Sequence, residues 1–259
     1  MFFNLNSQSE KKDNLCPFLY NYVNKEQIDG FKWISGAKRI LEYGTGTGLS
    51  LDLFFKNRSQ VKYNIIGVDI AGMAIEKVKI KYPKFQFYQI QNNKIPQVPD
   101  ESFDAVFMFH VLHHSYNHTQ IFKEINAKLK KGGRFLINDL SSNNIMIRIG
   151  RRLFIYFPRF IRNKFSYDLV VNGCIPDKYK VDMNLVISQL KKTGFSIEEV
   201  GYGHLFFFIF VWFEALVPLT RNKIIGYIYK KLIDFEKYLL RYKFFQRKAE
   251  LFYIKCIKS

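Results

Sequence analysis

The chain has 259 residues, 48% of them hydrophobic and 24% charged, which excludes a disordered chain and allows a sizeable buried core in one or two domains. Its three cysteines, Cys16, Cys174 and Cys256, are isolated, which excludes a disulfide framework and leaves no zinc or redox spacing. The net charge of +18 is uneven, with 19 basic and 13 acidic residues in 1–147 against 21 and 9 in 148–259, and a basic excess suits an anionic partner such as nucleic acid, phospholipid or a phosphorylated substrate. A chain rich in Lys, Asn, Ile, Phe and Tyr together is also what A- and T-rich coding produces, so composition accounts for part of that charge.

In chain order, Met1-Phe-Phe-Asn-Leu-Asn-Ser7 is not followed by a signal-type apolar core, so the expected location is the cytoplasm. Residues 1–37 carry Tyr20, Val23, Ile28, Phe31 and Ile34 at spacings that suit one or two covering helices. A regular alternation then runs from 38 to 140. Strand 39–44 leads into Gly44, Gly46 and Gly48 and a helix over 48–57. Strand 63–69 ends in Asp69, and helix 72–82 stops at Pro83. Phe85–Ile90 alternates as a third strand, Phe103–Phe109 is an apolar fourth, helix 117–130 closes at Gly132-Gly133, and Arg134–Asp139 is a fifth. Strands separated by helices predict an α/β fold: a doubly wound, mainly parallel sheet with ligands outside the carboxyl ends of its strands.

The organising stretch is Glu42-Tyr-Gly44-Thr45-Gly46-Thr-Gly48. Strand, glycine turn and helix open a nucleotide-binding unit, because glycine tolerates positive φ and lets a ligand lie against the backbone. Asp69, a little over 20 residues on, ends the second strand, where a carboxylate can accept both hydroxyl hydrogens of a ribose. The third glycine falls one residue early for the dinucleotide fingerprint and Leu49 would crowd a pyrophosphate turn, which disfavours a nicotinamide enzyme.

Here the sequence resembles the class I S-adenosylmethionine-dependent methyltransferases, in the small-molecule, type 11-like branch that carries a His-His after the fourth strand. Leu41–Gly48 looks like the family's first motif and Gly67-Val68-Asp69-Ile70 like its second. Pro99–Asp104, Phe109-His-Val-Leu-His-His114 and Leu129–Ile137 look like the later ones. The family usually has a small or apolar residue at position 43 and often Cys at 45, where this chain has Tyr43 and Thr45. The resemblance implies a seven-stranded Rossmann-like sheet whose antiparallel last strand lies between the fifth and sixth. It implies S-adenosylmethionine as cofactor, with Glu42, Gly44, Thr45, Gly46, Asp69 and Ile70 around it and Asn92 and Phe109 near the adenine. The family's acid after the third strand is replaced by Gln91-Asn92-Asn93, whose amides can still accept a hydrogen bond.

His110, His113 and His114 cluster past the fourth strand, and a neutral imidazole is a suitable base for a hydroxyl or phenol. His113 is the first candidate and His110 the second. On a helix His110 shares a face with His113 or His114, and on an extended segment it does not. No carboxylate lies at ligand spacing in the sequence nearby, so no metal site is expected.

Beyond the core, residues 141–181 interleave apolar positions with Arg148, Arg151, Arg152, Arg159 and Arg162, the pattern of a basic amphipathic lid. Helix 183–193 and strand 196–202 follow. The apolar stretch 205–219 is too short to span a bilayer and is interrupted by Glu214 and Pro218. With a basic amphipathic helix over 222–245, it makes 204–247 a helical insertion before the last strand, 248–257. One methyltransferase domain over 1–259 is the simplest organisation. The expected activity is methyl transfer to oxygen or nitrogen of a small, hydrophobic or lipid-linked acceptor. The alternatives are a nucleic-acid methyltransferase, disfavoured because no polar-Pro-Pro-aromatic turn follows the fourth strand, and a non-catalytic module on the same fold. Peripheral attachment at the inner face of the membrane, a membrane surface as partner, and a homo-oligomer are left open.

Overall fold

The structure, a computed structural model, describes residues 17–56, 58–92, 94–141, 181–205 and 219–259. The arginines expected to form a lid and most of the 205–219 stretch lie outside them. Seven strands form one sheet: β1 (Arg39–Tyr43), β2 (Asn64–Asp69), β3 (Gln86–Gln89), β4 (Phe103–Phe109), β5 (Leu129–Leu140), β6 (Phe195–Gly203) and β7 (Leu251–Lys258). Their order is β3-β2-β1-β4-β5-β7-β6, with the last strand antiparallel and inserted between the fifth and sixth. β1 pairs in parallel with β2 through Glu42↔Gly67 and with β4 through Glu42↔Phe107. The winding reverses between β1 and β4, which opens a crevice at their carboxyl ends. Ile40, Leu41, Val106 and Phe107 are fully buried, as strands covered on both faces require.

The helices are α1 (Pro17–Val23), α2 (Lys25–Trp33), α3 (Leu49–Phe55), α4 (Gly72–Lys81), α5 (His118–Lys128), α6 (Met183–Lys192), α7 (Lys223–Leu239) and α8 (Lys243–Gln246). Three elements, two helices and a strand, differ from expectation or sharpen it. The helix before β5 ends at Lys128, and Gly132-Gly133 does not close it. The two glycines lie inside β5, where Phe103 pairs Leu129 but Ala105 pairs Arg134, so extra residues loop out of the ladder. Gly132 takes φ +74° there, the left-handed geometry such a bulge uses. The basic helix expected over 222–245 breaks after Leu239, because Tyr242 is extended and starts α8 afresh. The third strand is four residues long, ending before Ile90.

The chain divides into two compact units. One holds residues 26–139, 181–201 and 253–259, the other 1–25, 140–180 and 202–252. The first has an aromatic centre in which the Phe31 ring meets Phe54 and Phe107 edge-on at 5.0 and 5.1 Å. The second packs Leu19 and Tyr22 of α1 against Tyr229 and Ile233 of α7. The Tyr22 hydroxyl donates to the buried carboxylate of Glu236 on α7. Near it lie His204, 3.9 Å from Glu236 at its Nδ1, and Glu250, whose burial pushes its carboxyl up to about 7.

Candidate active site

The site lies in the first unit, at the carboxyl ends of β1, β2, β4 and β5. The turn after β1 is tied down by two hydrogen bonds, since the Gly44 and Thr45 amides both donate to the Val68 carbonyl at 2.7 and 2.9 Å. Gly44 has φ +82°, and a Cβ there would sit 2.2 Å from Cγ2 of Val111, so only glycine fits. Gly46 also has positive φ, +51°, but a Cβ there would meet nothing within 4 Å. The protein needs Gly44 for its own packing, and Gly46 leaves open space on the side where a ligand would lie.

Two carboxyls flank that space. Glu42, the fourth residue of β1, is buried and accepts the Thr45 hydroxyl at Oε2. Its Oε1 has no hydrogen-bond partner among the described residues. Burial holds the Glu42 carboxyl well above the usual carboxylate range, with the charges of Asp69 and Asp52 pushing the same way and the Thr45 hydroxyl opposing. Asp69 ends β2, and its Oδ2 accepts the Gly46 amide at 2.7 Å while Oδ1 accepts the Ala71 amide at 2.9 Å. Burial raises this carboxyl too, against the pull of those backbone donors. The two bonds fix its plane and leave each oxygen a further lone pair.

Beside Asp69, Ile70 is 64% exposed and Met73, on α4, is 76% exposed. Apolar side chains left open next to a carboxylate make a platform for a flat ligand. Asn92 follows β3 in the left-handed conformation, φ +50°, exposed, with its carbonyl accepting from Gln120 at 3.3 Å. The Phe109 ring turns the other way, into the aromatic centre against Phe31 and Phe107.

Past β4 the chain is neither a full helix nor extended. His110 takes φ +58°, and Leu112–His114 form one tight helical turn. His113 is buried, and its Nδ1 lies 2.6 Å from Oδ1 of Asp139, which is itself fully buried in β5. The other Asp139 oxygen accepts the Leu112 amide at 2.7 Å. His110 has its Nε2 3.2 Å from the Gln27 amide nitrogen, which also reaches Asn138 Oδ1 at 3.4 Å. With that amide donating, Nε2 accepts and Nδ1 carries the proton of a neutral His110. The rings of His110 and His113 are 6.3 Å apart.

The structure thus brings Glu42, Gly44, Thr45, Gly46, Asp69 and Ile70 together and sets His110 and His113 at the neighbouring strand end. Asp139, Asn138 and Gln27 are the residues that sequence reasoning missed. The acid at the end of the fifth strand was visible as Asn138-Asp139, but nothing in the sequence says which histidine it meets. Among the described residues no three His, Cys, Asp or Glu side chains are grouped to hold a metal ion. A shallow depression of about 300 Å³ lies at the amino-terminal ends of β2 and β3, lined by Tyr63, Asn64, Ile65, Lys84, Phe85 and Gln86, away from these residues.

Fold and site define a Rossmann-like methyltransferase domain, and comparison with known proteins agrees. The methyltransferase domain family profile matches residues 20–167, more than half of the chain, and the chain belongs to that family. A Mycolicibacterium smegmatis protein named for S-adenosylmethionine-dependent methyl transfer is 30% identical over 115 residues, 44% of this chain and 42% of that protein. The chain thus spans about two fifths of the length of that relative. Demethylmenaquinone methyltransferase of Tropheryma whipplei is 24% identical over 209 residues, 77% of this chain and 81% of that protein. In fold, the chain is similar to phosphoethanolamine N-methyltransferase 2 of Haemonchus contortus, solved with phosphomonomethylethanolamine and S-adenosylhomocysteine. The TM-score is 0.56 at 17% identity, covering 93% of this chain and 56% of that one.

S-adenosylmethionine is the cofactor this family implies, and the residues present fit it. The chain offers it open space beside Gly46, spare lone pairs on Asp69, the exposed apolar Ile70 and the unpartnered Oε1 of Glu42.

Proposed function

We propose that the protein binds S-adenosylmethionine at the carboxyl ends of β1 and β2, beside the crevice where the winding reverses between β1 and β4, and transfers its methyl group to a hydrophobic small molecule that carries a hydroxyl on an aromatic or quinol-type ring. The observation that carries the cofactor half is the pair of carboxyls, buried Glu42 and half-buried Asp69, on either side of the open Gly46 backbone. When bound, the cofactor supplies a sulfonium methyl, an electrophile that needs no further activation. Glu42 meets the amino group, Asp69 the ribose hydroxyls, and Ile70 the adenine face, with Asn92 at its edge.

His113 serves as the base. Asp139 engages Nδ1, which leaves Nε2 as the basic nitrogen. Proton transfer from the acceptor hydroxyl to Nε2 turns a weak nucleophile into an oxyanion. In a hydroxyaromatic ring the same step also enriches the adjacent carbon, and the similarity to a protein named demethylmenaquinone methyltransferase supports a ring acceptor. A hydrophobic acceptor of this kind resides in lipid, so the protein would act at a bilayer surface.

The test is transfer of label from methyl-labelled S-adenosylmethionine to demethylmenaquinol, simple phenols and bulk RNA, each with wild type and His113→Ala. Label in the ring acceptors, lost in the variant, supports the reading. Label in RNA alone would replace it with the nucleic-acid alternative. No label anywhere, from protein that binds the cofactor, would overturn the acceptor class.

A further inference from the structure

We propose that the outward face of α7, continued through α8, is the surface by which the protein docks on an anionic phospholipid bilayer. The proposal gives a surface to the membrane-side working place inferred above, and it holds for any acceptor because it concerns where the protein sits.

Gly226, Tyr229, Ile233 and Glu236 of α7 are buried, and Tyr229 and Ile233 pack on α1. A helix with one face so buried normally carries polar residues on the other. Here Ile224, Tyr227, Ile228, Phe235 and Tyr238 occupy it. Ile224 is 71% and Phe235 52% exposed, and Phe244 on α8 is 68% exposed. At 100° per residue the five positions on α7 fall within an arc of about 100°, opposite the buried face.

Charge decides the occupant. Residues 219–248 carry nine Lys or Arg and two acids, Asp234 and Glu236, of which Glu236 is buried. Lys231 sits within the apolar stripe and Lys223, Lys230 and Lys237 along one border of it. The lysine ammonium groups lie over aromatic rings, with Lys230 Nζ 5.2 Å from the Phe18 ring centre and Lys231 Nζ 5.4 Å from that of Tyr227. Cations held among aromatic rings along an apolar stripe suit an interface whose depth is apolar and whose surface is anionic. Tyrosines, of which this face has Tyr227, Tyr238 and Tyr242, favour the same boundary. A second copy seated face to face would set these cations against their own kind. No helix among the described residues is long and apolar enough to cross a membrane, so α7 would lie in the plane of the surface.

The test uses the full chain, cosedimented with vesicles of phosphatidylcholine alone and with about a third phosphatidylglycerol. Wild type is expected to sediment with the anionic vesicles, less so as salt rises, and to remain in solution with phosphatidylcholine alone. Ile224→Ser/Phe235→Ser and Lys230→Glu/Lys231→Glu, all at exposed positions outside the site, are each expected to weaken partitioning by more than about tenfold while keeping the wild-type melting temperature within a few degrees. Absence of sedimentation, or sedimentation unchanged in both variants, would overturn the proposal. A wild-type dimer in light scattering that the serine variant splits would overturn it in favour of a second copy. S-adenosylmethionine titration on the same samples separates the two readings. Cofactor binding without vesicle binding leaves the enzyme and removes the surface. Vesicle binding without cofactor binding does the reverse.

Discussion

The turn after β1 and the outward face of α7 are both binding surfaces in this account, and they are built by opposite means. The turn works by omission. Side chains are missing at Gly44, where Val111 fills the space, and at Gly46, where nothing does. The helix face works by surplus, with large apolar side chains standing in water where a helix needs none. A surface made of backbone has few solutions and fails abruptly when a Cβ is added. A surface made of side chains is distributed and should fail by degrees.

The largest effect expected is on chemistry, and it belongs to the first region alone. His113→Ala should lower single-turnover methyl transfer by roughly 10²–10⁴-fold, the worth of a positioned base, with cofactor affinity within about twofold of wild type. Asp139→Asn should lower the same rate, because an amide presents a donor as readily as an acceptor to Nδ1. A His113→Ala enzyme at full rate would remove the base from the mechanism.

Next is the contrast in folding stability. Gly44→Ala should cost about 2–4 kcal/mol in denaturant unfolding, from positive φ and the overlap with Val111. Adding Val111→Ala should recover the steric part and leave the φ part. Ile224→Ser on the helix face should cost less than about 0.5 kcal/mol. Equal costs at the two positions would break the distinction.

The second unit has its own titrating group. Glu250 is buried, and burial, reinforced by the Glu236 charge and opposed by His204, pushes its carboxyl from 4.5 up to about 7. In that window the folded chain keeps a proton that the unfolded chain has released. Stability therefore falls as pH rises from about 4.5 to about 7, and the cost persists above it. Glu250→Gln should flatten this slope and raise stability at pH 7.5 by roughly 2–3 kcal/mol. A variant less stable than wild type at pH 7.5, with the slope intact, would contradict the assignment.

A smaller effect sharpens the first region. Glu42 is held above the usual carboxylate range, and a cationic amino group beside it would favour its ionised form. Cofactor binding should then release up to one proton, read from binding enthalpies in buffers of different ionisation heat, and Glu42→Gln should abolish the release. Proton uptake would reverse the sign of the argument.

What could be read from the sequence follows the same division. Gly44, Gly46 and Asp69 were legible because local backbone demands write themselves into residue types at fixed spacing. The inner strands β1, β2 and β4 were legible because buried parallel strands are apolar runs between helical stretches, and the antiparallel placing of the last strand came from the family resemblance. The Gly132-Gly133 pair misled, because a helix stop and a bulge within β5 make the same demand for a left-handed residue. Asp139 and Gln27 were not legible as site residues. Their roles come from contacts with His113 and His110, 26 and 83 residues away, set by strand order and not by any local pattern. Phe109 was legible as a strand end but not in direction, since alternation does not say which face of the sheet meets Phe31.

The most direct test of the central claim, that the crevice beside Gly46 holds S-adenosylmethionine, is calorimetric titration of S-adenosylmethionine and S-adenosylhomocysteine into wild type and Asp69→Ala. Wild type should bind both at micromolar strength, and the variant should lose about tenfold or more, the worth of a charge-assisted hydrogen bond to the ribose. Folded wild-type protein that binds neither ligand, or an Asp69→Ala variant that binds both as tightly as wild type, would contradict it.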